Sequence, residues 1–311
     1  MVTRIWAALA LIKRTFAAFV DDECPEMAAA LAYYAMLSLA PLLVLVITIT
    51  GFVLSPQQAQ GHLVDQIQGM IGHEAARQIQ SMIVRVQQPG HGLVATILSV
   101  MVLLFGATGM MAQLQSSLNY VWGVEPDPQQ GGIKNFLLKR VFSMAMILVV
   151  AALLLASLLL STVLHAFGEH IAAWLPSGSS QTLLNVLNFI VSFLVITVLF
   201  AAMFKVLPDV KIAWCDVWVG AVVTALLFVI GKTVISIYLG SENLQATYGS
   251  AGSLVLLLIW VYYSSMILLF GAEFARVWAT RSGQEVQPSR GAIRVERKRQ
   301  VNRPQEGHER A

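Results

Sequence analysis

The sequence is short of charge. Asp, Glu, Lys and Arg supply only 12% of its 311 residues, about half of what a soluble domain carries. It has two cysteines, Cys24 and Cys215, too few for a disulfide framework. It lacks a Walker-type phosphate loop, which argues against ATP-driven work by this chain. The six histidines (His62, His73, His91, His165, His170 and His308) have no zinc-like spacing with cysteine. Strand-like alternation is missing, which argues against a β-barrel. A soluble enzyme, a secreted disulfide scaffold and a disordered chain are all excluded.

What is present is apolar. Hydrophobic residues make up 57% of the chain and its mean hydropathy is +0.70. Six stretches could cross a hydrocarbon core about 30 Å thick, which takes about 20 helical residues. They run over Ala28–Leu54, Gly92–Ala112, Val141–Phe167, Leu183–Val206, Ala213–Leu239 and Ala251–Ala279. Backbone groups in lipid must be satisfied within their own segment, so these are helices. The expected fold is all-α: a polytopic membrane protein with six transmembrane helices. Seventeen of the 20 Lys and Arg fall on one side of such a bundle, against Arg77 and Arg85 on the other and Lys232 within a span. That split places both termini in the cytoplasm.

Two amphipathic regions flank this bundle. At the N-terminus, Ile5, Trp6, Leu9, Ile12, Phe16 and Phe19 recur at helical spacing, as in a helix lying on the membrane surface. Lys13 and Arg14 interrupt the run, and no small-residue cleavage site stands convincingly before Asp21, so a cleaved signal peptide is not expected. The external loop 55–91 carries apolar residues at helical spacing divided by Gly69 and Gly72, which suggests two interfacial helices. The membrane domain is expected to be 1–282. Residues 283–311 are polar and basic without an apolar face, and read as a disordered cytoplasmic tail. No folded basic module accompanies the tail, so nucleic acid is not expected as a partner.

Ionisable groups inside spans are costly and therefore mark candidate sites. Lys232 lies near the external end of the fifth span and Glu273 near the internal end of the sixth, roughly 20 Å apart along the bundle. Lys232 either lines a polar cavity or snorkels to the headgroups; Glu273 either serves a path or pairs with Arg276 one turn on. Asp21, Asp22, Glu23 and Glu26 precede the first span, where carboxylates complement a helix dipole, and Pro25 suits a first helical turn. Tyr33, Tyr34, Ser38 and Pro41 form a polar stripe with an expected kink. Small residues four apart (Ala28 and Ala32, Gly220 and Thr224, Gly271 and Ala275) permit close helix approach within the bundle.

The run Ala28-Ala29-Ala30-Leu31-Ala32-Tyr33-Tyr34-Ala35-Met36-Leu37-Ser38-Leu39-Ala40-Pro41 resembles the first-span signature of the bacterial YihY/virulence factor BrkB family. Leu118-Asn119-Tyr120-Val121-Trp122 fits it too, as do Leu207-Pro208, Asp216, Gly220-Ala221, Tyr248-Gly249-Ser250, Trp260-Val261-Tyr262 and Gly271-Ala272-Glu273. The match covers most of residues 1–280 in order, with the tail outside it and Lys232 outside the pattern. The resemblance implies a six-helix inner-membrane protein. The family has carried a ribonuclease label, but this sequence supplies no nuclease site, so no enzyme is expected. Links to serum resistance and envelope export make a transporter the family-level expectation.

The expectation is a transporter or lipid-handling protein for a polar or amphipathic anionic substrate. Its path would be bordered by Tyr34, Ser38, Asn119, Lys232, Tyr248 and Glu273. The alternative is a non-transporting envelope scaffold. No cofactor or metal site is expected. Partners would be membrane lipids and a small-molecule or lipid substrate, with room for a homo-oligomer.

Overall fold

The computed structural model describes residues 2–50, 109–127, 179–241, 252–281, 287–289 and 291–295. Among them, six helices carry nearly all the structure: α1 (Val2–Asp21), α2 (Cys24–Thr50), α3 (109–121), α4 (Ser179–Val206), α5 (Trp214–Ser241) and α6 (Gly252–Arg281). Helices α4, α5 and α6 are long and apolar enough to cross a membrane, over Phe189–Val206, Trp214–Val234 and Leu257–Arg281. They coincide with the fourth to sixth expected spans. Of the first expected span, Ala28 to Thr50 is helical in α2. The external loop 55–91, the third span and most of the second lie outside the described residues.

These helices are apolar on both faces, and residue size separates the faces. On α5, Trp218, Val222, Leu226, Ile230 and Val234 recur every four residues and are all exposed, the last at 58%. The opposite face carries Val217, Gly220, Ala221, Thr224 and Ala225, all buried. An exposed apolar stripe of this length suits lipid, and small residues inside let helices approach where lipid supplies no hydrophobic drive.

Helix α6 is the hub, packing against α5, α2 and α1, while α4 also packs against α5. The crossing of α5 and α6 is antiparallel and tight. A Cβ placed on Gly220 would lie 2.6 Å from Ala275 Cβ, and one on Gly271 would overlap Thr224 Oγ1. Two of the three small-residue pairs read from the sequence, Gly220/Thr224 and Gly271/Ala275, therefore face one another within this chain. Thr224 donates its hydroxyl to Gly220 O at 2.7 Å, which removes a polar group from the contact. Farther along, a Cβ on Gly231 would strike the Tyr263 hydroxyl.

Helix α1 forms as expected, but the stripe read as its membrane face is divided. Leu11, Thr15 and Phe19 are buried, and Phe19 meets Phe270 of α6 edge-on at 5.7 Å. Trp6, Leu9, Ile12 and Phe16 remain exposed. The chain breaks between α1 and α2 at Glu23, whose φ is +52°, a left-handed residue of the kind that ends a helix. Pro25 then occupies the first turn of α2, where its missing N–H costs nothing.

The tail departs from expectation. Residues 287–289 and 291–295 are not free. Strand β3 (Gln287–Pro288) pairs antiparallel with β2 (Val210–Lys211), and β4 (Ala292–Arg294) pairs antiparallel with β1 (Val124–Pro126). The described residues are mostly helical, as expected, with these two short ribbons added, and Gln287–Pro288 and Ala292–Arg294 are paired where a disordered tail was expected. Backbone pairing needs no apolar face, so a polar segment can be held by amides alone. Gly123 and Gly291, both at positive φ, supply the turns.

Enlarging the α5–α6 contact is expected to be destabilising. Gly271→Leu, which meets Thr224, should cost about 1–3 kcal/mol through overpacking. Val222→Leu on the exposed stripe should change the thermal midpoint in detergent little. The two midpoints, measured side by side, check the assignment of inner and outer faces.

Candidate functional site

Two polar knots stand out among the described residues. The first joins the α1–α2 link to α6. Glu273 is fully buried although it lies in the spanning stretch of α6. Arg276, one turn on, places Nη2 2.7 Å from Glu273 Oε2 and 2.8 Å from Asp22 Oδ2. Cys24 Sγ approaches Glu273 Oε1 at 4.0 Å, the limit of a thiol donor. Asp22 reaches this position because the left-handed turn at Glu23 follows it, and Arg276 because three residues carry it along α6 to the same face. One guanidinium thus faces two carboxyl groups, that of Glu273 fully buried and that of Asp22, like Arg276 itself, partly exposed.

Cys24, which precedes the first span, responds to these surroundings. Burial pushes its thiol well above the ordinary value near 9.0, and the negative charges of Glu273 and Asp22 push in the same direction, against Arg276. The fold therefore favours the neutral thiol.

The second knot ties α3 to the link between α4 and α5. Buried Asn119 donates Nδ2 to Asp209 Oδ2 at 2.9 Å and accepts the Asp209 backbone N–H on Oδ1 at 2.7 Å. Gln115 adds longer donations of 3.4 Å to both carboxylate oxygens. The Asp209 carbonyl accepts from Ser289 N at 2.9 Å, so this residue also anchors the tail. Lys205 donates to Ile212 O and lies over the Trp214 ring at 5.2 Å, which closes the same link.

Of the six path candidates, the four with described side chains do not share a single lining. Asn119 and Glu273 belong to the two knots. Tyr34 is half-buried, edge-on to Tyr33 at 5.7 Å and packed against Gly109 of α3. Lys232 is exposed on α5 beside a groove lined by Phe228, Trp260, Tyr263 and Ser264. The Gly220–Ala275 and Gly271–Thr224 contacts put Glu273 level with Val222, ten residues and hence about 15 Å from Lys232, somewhat nearer than expected. The Ser38 side chain and all of Tyr248 lie outside the described residues. Among those described, no three His, Cys, Asp or Glu side chains converge as a metal would require. Asp22 and Arg276 were legible in part, as helix-end carboxylate and one-turn partner. Asp209 was not, since it lies 90 residues from Asn119 and no local spacing joins them.

A sequence profile described as virulence factor BrkB matches residues 15–294. The chain belongs to this family. The match runs past residue 280 to include β3 and β4, extending the expected coverage into the paired tail. Similar proteins include the ribonuclease-like protein YfkH of Bacillus subtilis, 27% identical over 274 residues, 85% of this chain and 94% of that protein. A UPF0761 membrane protein of Teredinibacter turnerae is 26% identical over 275 residues, 87% of this chain but 60% of that protein. One from Pseudomonas aeruginosa is 26% identical over 294 residues, 91% of this chain and 67% of that protein. The chain thus spans about two thirds of the length of these last two relatives. No solved structure matches it. Relatives that are membrane proteins, together with three spanning helices, make this BrkB-family chain a membrane protein.

Removing Arg276 strands two carboxylates. Arg276→Met is expected to cost about 3 kcal/mol, and Glu273→Gln less, because its amide oxygen still accepts from Arg276. For Cys24 the sign is alkaline: stability is intact below the ordinary thiol value near 9.0 and falls as pH rises above it. Cys24→Ser should flatten that fall in unfolding profiles recorded between neutral and alkaline pH.

Proposed function

We propose that this protein is a cytoplasmic-membrane transporter or lipid-handling protein that moves a polar or amphipathic anionic molecule without ATP. The Asp22–Arg276–Glu273 contact would be its gate at one end of the bundle. The observation that carries this reading is a fully buried carboxylate in an apolar span, held by a cation that also reaches the junction of two other helices. Intramembrane charge is expensive and is kept where it serves a path or a switch. An ion pair suits a gate because it can part without disturbing the apolar contacts around it. Here, releasing Asp22 would free the α1–α2 link from α6 while the α5–α6 crossing stayed closed.

Six spans with both termini in the cytoplasm go with this reading. Support comes from the six apolar stretches and from the 17 basic residues gathered on one side. The remaining path residues would be Tyr34, Ser38, Asn119 and Tyr248. Lipids and the transported anion are the proposed partners, nucleic acid is not one, and the exposed stripes leave a face for a homo-oligomer. In this reading the chain is not an enzyme, and the ribonuclease-like description of YfkH remains with that protein.

A sealed envelope scaffold is the second reading. It is favoured by Asn119, whose side chain is occupied by Asp209 and so presents little to a passing substrate.

Cys24 is a natural reporter of the difference. In a Cys215→Ser background, a membrane-impermeant maleimide should label Cys24 slowly. Arg276→Gln should raise that rate about tenfold, the effect of losing about 1.4 kcal/mol from a closed state, with the thermal midpoint still cooperative. A Cys24 that stays unlabelled in both proteins until they unfold would leave the scaffold reading standing instead.

A further inference from the structure

We infer that the groove between α5 and α6 at Lys232 is a docking site for one anionic phospholipid, with its phosphate between Lys232 and the Tyr263 hydroxyl. The inference does not rest on the transport reading, since a lipid can dock whether or not anything crosses.

Lys232 lies within the spanning stretch of α5 and is exposed. Among the described residues no carboxylate pairs with it, and Glu273 is about 15 Å away along the bundle. A cation in a span needs a counter-charge or an escape to the headgroups. Tyr263 stands beside it because Gly231 has no Cβ, and the phenol lies over that gap. Its hydroxyl has no partner among the described residues, so two donors without acceptors face one groove.

The walls complete the description. Phe228 and Trp260 meet edge-on at 6.0 Å, giving a rigid aromatic side of the kind favoured at membrane interfaces. Ser264 donates to Trp260 O at 2.9 Å, so its oxygen keeps only acceptor capacity and adds no third donor. The groove is a shallow depression of about 170 Å³, part of it open to its surroundings, with no inner room for a water. It is too shallow for an aqueous path, so a headgroup would lie over it, against Lys232 and Tyr263, rather than inside it. The exposed apolar stripe of α5 runs beside it and offers a surface for an acyl chain. An uncompensated cation, a phenol donor, an aromatic wall and an adjoining apolar stripe together match a lipid carrying a negative phosphate.

Native mass spectrometry of the full chain in detergent, titrated with phosphatidylglycerol or phosphatidylcholine, tests this. Bound phosphatidylglycerol should exceed phosphatidylcholine in the natural protein and fall about fivefold in Lys232→Ala, the factor one basic residue contributes near anionic lipid. Lys232→Arg should retain it, which separates loss of charge from loss of fold, and Tyr263→Phe should lose a smaller share. Three results would overturn the inference: unchanged phosphatidylglycerol retention in Lys232→Ala, equal loss of both lipids, or displacement by millimolar inorganic phosphate. They would mean, respectively, a snorkelling lysine, a general packing defect and a free-anion site.

Discussion

The level at which Glu273 and Tyr263 stand against α5 depends on how closely α5 and α6 can lie. With only the Ala275 methyl against Gly220 and the small Thr224 side chain against Gly271, the helices approach very closely. That fixes their register. Register then decides which residues share a level: Glu273 opposite the middle of α5, Tyr263 over Gly231 and beside Lys232, and Arg276 at the end where α1 turns into α2. In lipid the apolar effect gives helices little reason to associate, so van der Waals contact between small surfaces carries the association. A single methyl at that crossing would disturb polar groups several turns away.

The charges held in this frame are few and unequal in cost. A cluster of one guanidinium and two carboxyl groups, one of them fully buried, is not a cheap way to stabilise a bundle. Apolar side chains of similar volume often do as well or better. Removing one member, by contrast, leaves an uncompensated charge in the interior. The combination of poor net value and high cost of disruption sets the Asp22–Arg276–Glu273 contact apart from ordinary packing. The Asn119–Asp209 knot has the opposite character. Its donors and acceptors are largely matched, and it fastens a loop to which the tail adds a further backbone bond at Ser289.

That tail shows how a short segment can tie distant loops together. Strands of two and three residues would not persist alone. They hold because β1 and β2 each follow a helix that is already packed, so their unpaired amides stand ready. Family similarity that runs through residue 294 agrees with a segment that belongs to the fold.

The sequence by itself determined that the chain is membranous and helical, where α4 to α6 run, that α1 forms, and which small residues make contacts. Each of these follows from local composition and period: about 20 apolar residues needed per span, helical spacing, and glycine or alanine every fourth place. It also pointed to Arg276 as partner of Glu273, because one helical turn is a local distance. Only the tertiary structure decided that Asp22 shares that cation, that Asn119 closes on Asp209, that α1 keeps most of its apolar stripe outward while Phe19 turns in, and that Gln287–Pro288 and Ala292–Arg294 pair with two loops. Those contacts join residues that lie 76 to 254 positions apart in the chain. Long-range pairs of this kind leave no mark on local hydropathy, and β pairing through the backbone is blind to the side chains a sequence reader weighs.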